Sequence, residues 1–196
     1  MKHILFRKLF IAFASAILMD ASACTPNTKQ PNEVIIEHDL KTQLHSLMPQ
    51  LGHRNWVLVV DSAYPFQNSD GLTMVNSELS HEATIEEVVK AIKSSVHVSA
   101  NVYLDKELDY IEETDIPGIS DYKSNLNTKL GDWKTKKVLH EQLISKIDSV
   151  SKPFKILVVK TDFTMPYTSV FFELDCKYWG ADQEEALRNR MKSTSN

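Results

Sequence analysis

Residues 51–65 read LGHRNWVLVVDSAYP, and the apolar run inside them, Trp56–Val60, decides the fold. A strand with one face in water alternates apolar and polar residues, whereas an unbroken run rich in valine suits a strand covered on both faces. Such a strand needs a layer on each side of its sheet. Asp61 ends the run, and Ser62–Gly71 (SAYPFQNSDG) carries loop chemistry. Upstream, Leu40, Leu44, Leu47, Met48 and Leu51 recur at helical spacing, which predicts a helix over about 39–51 closed by Gly52 as its C-terminal cap. His53 stands directly beyond that cap.

The same alternation of elements continues downstream. Glu86 and Glu87 form an acidic first turn after Thr84, and Ile85, Val88, Val89 and Ile92 form an apolar stripe, so a second helix is expected there. A strand over Val96–Leu104 follows. Residues 105–135 are acidic, then polar, and their weak periodicity predicts no element. Val138, Leu139, Leu143, Ile144 and Ile147 predict a helix starting near His140, and Phe154–Lys160 and Ser169–Leu174 predict two more strands around the turn-like TDFTMPY of 161–167. A polar, charged helix over Ala181–Lys192 ends the chain. Strands interleaved with helices predict a single-domain, layered α/β fold over residues 38–196.

The N-terminus has a different character. Lys2, Arg7 and Lys8 precede an apolar run from Leu9 to Met19 and then the small residues Ala21-Ser22-Ala23. That order is expected of a signal peptide over residues 1–23, because the apolar run is shorter than the roughly 20 residues a spanning helix needs. Cys24, followed by polar Thr25-Pro26-Asn27-Thr28, has the look of a bacterial lipobox, so lipidation of Cys24 stands beside plain secretion and an uncleaved form. Residues 24–37, polar and containing two prolines, suit a tether. The expectation is an exported protein, anchored by lipid to a bacterial membrane facing the periplasm or the exterior.

Charge and cysteine content exclude several classes. Loss of residues 1–23 removes three positive charges and one negative, taking the formal net charge from −4 to −6, an unsuitable balance for a nucleic-acid partner. Only Cys24 and Cys176 are present, so with Cys24 lipidated no disulfide framework exists and the fold rests on its core. The five glycines are isolated, which rules out a phosphate-binding loop; neither His81-Glu82 nor His140-Glu141 has a second histidine at zinc-protease spacing; and no nucleophile elbow occurs. No metal and no cofactor is expected.

Polar residues at the edges of apolar elements remain: His53, Asp61, His140, Tyr167 and Ser169. Singly, each suits a bland role, as a helix-end histidine, a turn former, a first-turn residue or turn packing. Together they resemble the D-ribose pyranase and L-fucose mutarotase family. Gly52-His53, Asp61 and Pro65 keep the family's register without a gap, His140-Glu141-Gln142 is similar to its His-Glu-x helix start, and Pro166-Tyr167-Thr168-Ser169 is similar to its Pro-Tyr-x-Asn segment. The resemblance spans about residues 38–175. It implies a monosaccharide mutarotase or pyranase, exported here on the reading of residues 1–23, with His53 as proton donor, Asp61, His140, Tyr167 and Ser169 as sugar-binding residues, and a ring-shaped homo-oligomer with its sites at subunit contacts. Ring opening needs one proton given to the ring oxygen and one taken from the anomeric hydroxyl, work suited to an imidazole.

Two features qualify that reading. Ser169 replaces the family's usual Asn, and the expected compartment is outside the cell, so a noncatalytic carbohydrate-binding or assembly lipoprotein on the same fold is the alternative. A straight strand over 55–60 at about 3.3 Å per residue also holds His53 and Asp61 roughly 20 Å apart. The two can share one pocket only if the loops curl back or if two subunits each contribute one end.

Overall fold

The computed structural model describes residues 39–194. The expected signal segment 1–23, Cys24 and the tether 24–37 lie outside the described residues. Within them, one six-stranded sheet is built from β1 (Trp56–Val60), β2 (Leu72–Asn76), β3 (Val98–Asp105), β4 (Thr135–Val138), β5 (Ile156–Lys160) and β6 (Val170–Cys176), in the order β2-β5-β1-β6-β3-β4. β1 pairs parallel with β5, β5 with β2, and β3 with β4, while β6 runs antiparallel between β1 and β3. Five strands therefore point one way and only β6 opposes them. The layered α/β expectation holds, and the layers flank a single mixed sheet.

Helices α1 (Leu40–Leu47), α2 (His81–Ser94), α3 (Ile119–Leu130), α4 (His140–Val150) and α5 (Ala181–Thr194) complete the order. β1 is buried along its whole length because its alternate residues feed two cores. Val57 and Val59 pack with α1, α2 and α3 residues such as Leu44, Ile85, Val88 and Leu126, and Trp56, Leu58 and Val60 pack with Leu143 and Ile147 of α4. Truncating Leu58 to Ala would cost about 2–5 kcal/mol at such a site. The unbroken apolar run was thus a faithful sign of a layer on each face.

Local chemistry accounts for the element ends. Ser80 caps α2, its hydroxyl accepting from the Ala83 N–H at 3.3 Å. Gly118 and Gly131 flank α3 with positive φ values of 90° and 59°, conformations glycine adopts without a Cβ penalty. Gly71 is required by closeness, since a Cβ there would collide with the Ser151 carbonyl.

Gly52 corrects one expectation. Pro49 tightens the chain after α1 into a 3-10 turn over Met48–Gln50, so α1 ends at Leu47 and Gly52 caps nothing. The left-handed residue is instead Arg54, with φ 74°, in a turn held by Asn55 N–H donating to Gly52 O at 3.0 Å and Gly52 N–H donating to Asn55 Oδ1 at 2.7 Å. The Arg54 guanidinium lies 4.3 Å from the centroid of the Phe154 ring. His53 is therefore carried on a fixed turn. Three elements had no sequence forecast: edge strands β2 and β4, and α3 within the polar stretch 105–135.

Candidate functional site

Because five strands share one direction, the carboxyl ends of β1, β3, β4 and β5 and the start of β6 meet at one edge of the sheet. A cleft of about 660 Å³ opens there, lined by Asp61, Tyr64, His140, Ile144, Tyr167 and Ser169 among others. That volume lies in the range of small-molecule sites, and the place is where open α/β sheets hold ligands. Asp61, His140, Tyr167 and Ser169 are thus brought together from β1, the first turn of α4 and the loop into β6.

Each is held by neighbours that the sequence did not single out. Asp61 Oδ1 accepts from the Ala63 N–H at 2.8 Å, so the residue also serves the turn-forming role. His140 begins α4 after Leu139, which has no side-chain group for capping. Glu107 supplies the missing acceptor, both carboxylate oxygens standing 3.1 Å from the His140 backbone nitrogen. Tyr167 has φ 59°, an uncommon conformation for an aromatic residue, and its ring meets that of His140 edge-on with centroids 5.5 Å apart.

The loop from Thr161 to Ser169 is tied down from beneath. The Thr168 carbonyl accepts from His81 Nε2 at 3.0 Å and from the Tyr122 hydroxyl at 2.8 Å, and His81 stacks on Phe163 at 4.9 Å. Since a carbonyl only accepts, His81 carries a proton on Nε2, and its Nδ1 lies 2.9 Å from the Thr161 hydroxyl, which in turn stands 3.0 Å from the Val60 carbonyl. Burial lowers the His81 pKa below its ordinary 6.5, against an upward pull from the Thr168 carbonyl, Asp61 and Glu82. His81 is a structural strut for the cleft's far wall.

Behind the cleft lies Asp105, the last residue of β3 and wholly buried. Its Oδ2 is 3.2 Å from His140 Nδ1, its nearest polar neighbour, and no other donor reaches either oxygen. Burial pushes the Asp105 carboxyl up from 3.8 to about 6; His140 pulls it down, and Glu107 and Asp61 push it up. Nothing in its local sequence marks it, since it stands at the head of an acidic stretch. Among the described residues no group of three or more His, Cys, Asp or Glu is arranged to hold a metal ion.

His53 is not in this cleft. It lies at the amino end of β1, where Nδ1 is 2.9 Å from Asp175 Oδ1 at the end of β6, with 59% of its side chain exposed. Five strand residues at about 3.3 Å each put roughly 16 Å between the two ends of β1. The antiparallel β1–β6 register makes the same division: Ser169 precedes β6 beside the Asp61 end, and Asp175 closes it beside His53.

A mixed sheet with helices on both faces and a cleft outside the carboxyl ends of its parallel strands defines an α/β protein of the layered, single-sheet class. The chain belongs to the RbsD / FucU transport protein family, whose sequence pattern matches residues 35–176. Similar solved structures include Bacillus subtilis RbsD complexed with D-ribose, at 14% identity and TM-score 0.48, covering 71% of this chain and 96% of that one. Another is the fucose mutarotase in complex with L-fucose from Streptococcus pneumoniae, at 16% identity and TM-score 0.46, covering 70% and 96%. FucU from Bifidobacterium longum is similar at 9% identity and TM-score 0.46, covering 67% and 92%. No curated protein matches the chain. The family match ends at Cys176, before α5.

Proposed function

We propose that this protein binds a free monosaccharide in the Asp61–His140–Tyr167–Ser169 cleft and catalyses exchange of its anomers or ring forms. The observation that carries the reading is the convergence of those four side chains, drawn from separate parts of the chain, on one cleft. Asp61 and Ser169 offer polar partners for sugar hydroxyls, and the partly exposed Tyr167 ring offers an apolar face for a pyranose. His53 is the proton donor, contributed by a neighbouring copy. Its own cleft is a strand length away, and its Nδ1 contact with the acceptor Asp175 directs Nε2 outward. The working assembly is a homo-oligomer in which each site spans two chains.

The chemistry needs no redox change. The acid protonates the ring oxygen as the ring C–O bond breaks, a base takes the anomeric hydroxyl proton, and reclosure on either face or from another hydroxyl gives the exchanged sugar. Magnetisation-exchange NMR on ribose, fucose and a panel of common pentoses, hexoses and deoxysugars tests the reading. Acceleration that is lost in His53→Ala is expected, and no acceleration for any sugar refutes it.

One observation favours a second reading, noncatalytic carbohydrate binding: Ser169, a shorter hydroxyl, lines the cleft where the resemblance leads one to expect an Asn amide. That reading predicts calorimetric sugar binding with no exchange. We further propose export through residues 1–23 and lipidation at Cys24, on the strength of the basic, apolar and small-residue order before that cysteine. The intact mass of membrane-extracted protein, with and without Cys24→Ser, decides between the lipid-bearing and simply secreted forms.

A further inference from the structure

The buried carboxylate of Asp105 is unexplained by sugar contact, because His140 stands between it and the cleft. It is also costly, being a fully buried acid with no donor but His140 near either oxygen. Packing alone would favour an apolar or aromatic residue at the end of β3, where Tyr103, two residues back on the same face, is buried in the core against α4. The orientation of His140 supplies a reason for the acid. Its Nδ1 is sealed from solvent 3.2 Å from Asp105 Oδ2, whereas 39% of the side chain is exposed. The part of the ring open to the cleft is therefore its Nε2 edge.

We propose that Asp105 is a positioning residue that fixes His140 as the Nδ1–H tautomer, so that Nε2 meets the substrate as the proton acceptor of the exchange reaction. This rests on the reading of the cleft as a sugar-exchange site and assigns His140 a part in the chemistry beyond binding. A carboxylate at Nδ1 can only accept, so the neutral ring carries its single proton there and presents a lone pair at Nε2. The anomeric O–H proton passes to that lone pair and the O–H electrons form the carbonyl. The ring C–O pair leaves to the ring oxygen, which takes a proton from the His53 imidazolium of the neighbouring copy. Reclosure returns both protons, so the cycle is balanced. Tyr167 packing edge-on against His140 and Glu107 binding its backbone nitrogen hold the same ring from two other sides.

The charged groups around the pair are few and named: Glu107 and Asp61 join His140 in acting on Asp105. Both acids disfavour ionisation of Asp105, and His140 favours it. The reverse arrangement, a protonated Asp105 donating to Nδ1, would put the ring proton on Nε2 and make His140 a donor. The two arrangements are separable by spectroscopy without any substrate.

Long-range proton–nitrogen NMR of the full-length protein, with His140 assigned by His140→Gln, reads the tautomer at neutral pH. The expected result is Nδ1–H in the wild type and a change to Nε2–H in Asp105→Asn, whose amide can donate to Nδ1. Exchange kinetics are expected to show kcat lower by about 10²-fold or more in Asp105→Asn with KM within about twofold, and partial recovery in Asp105→Glu. His140→Gln combined with Asp105→Asn should cost no more than His140→Gln alone. An Nε2–H wild type, a tautomer unmoved by Asp105→Asn, or an unchanged kcat overturns the proposal. If Asp105→Asn fails to fold, Asp105→Thr serves for the same readings. A wild type that exchanges no sugar refutes the functional reading, while the tautomer still decides the role of Asp105.

Discussion

Asp105→Asn should stabilise the protein at neutral pH by an amount that disappears in acid. Folding moves the Asp105 carboxyl from 3.8 to about 6, burial being the largest cause. A group whose pKa rises on folding holds its proton more tightly in the native state, so for an acid the cost of ionisation is fully present above the folded value. It fades as pH falls from about 6 to 3.8 and is absent below that. The interval corresponds to ~3 kcal/mol at pH 7. An amide of the same shape carries no such cost, so the variant-minus-wild-type difference should grow by ~3 kcal/mol between pH 3.5 and 7. For a domain of this size that is about 6–12 °C in Tm. Urea denaturation of both proteins at half-unit pH steps measures it. A difference independent of pH, or one that grows toward acid, would refute the buried-charge reasoning. Stabilisation coupled to slower exchange is the pattern of a residue kept for the site and not for the fold.

Other perturbations test other parts of the site. Tyr167→Gly relieves the positive φ and removes a partly exposed ring, so stability should stay within about 1 kcal/mol while sugar affinity by calorimetry falls about tenfold or more. His81→Ala loses both ring hydrogen bonds and the stack on Phe163, and should lower stability by about 3 kcal/mol in urea melts. Because burial lowers the His81 pKa, the unfolded chain binds its proton more readily. Wild-type stability relative to His81→Gln should therefore be full above about pH 6.5 and decline as pH falls below it. Asp175→Asn should leave the urea midpoint nearly unchanged, since the His53 contact is largely exposed, yet slow sugar exchange if His53 is the donor.

The parts of the fold legible in the sequence were those whose burial is complete. WVLVV and ILVV are continuous apolar runs because β1 and β5 are covered on both faces. β4 was invisible for the opposite reason: Thr135-Lys136-Lys137-Val138 is an edge strand with two exposed lysines, and its pairing with β3 is made by backbone. β2 mixes buried Leu72 and Val75 with half-exposed Thr73 and Met74, which gives no clear period. α3 carries Ile119, Tyr122, Leu126 and Leu130 inward, but the polar residues between them and the acidic stretch before them hid the stripe.

The site divides in the same way. Asp61, His140, Tyr167 and Ser169 could be chosen because motif order marks them, and the topology then gathers them. Asp105 could not, since an acid at the head of DKELD reads as solvated until β3 buries it behind His140. His81 and Tyr122 were equally unmarked, because their work is to hold one carbonyl of the Thr168 loop from α2 and α3. Distance along β1 was the one geometric fact the sequence stated plainly, and it separates His53 from the cleft.

The most direct test of a site shared between copies is complementation. His53→Ala and Asp61→Asn chains, each inactive alone, are unfolded together in equal amounts and reassembled, and sugar exchange is measured by NMR. A site built from His53 of one copy and Asp61 of the next predicts recovery to about a quarter of wild-type activity, the share of contacts at which both residues are intact. No recovery, with the mixed oligomer formed, contradicts it.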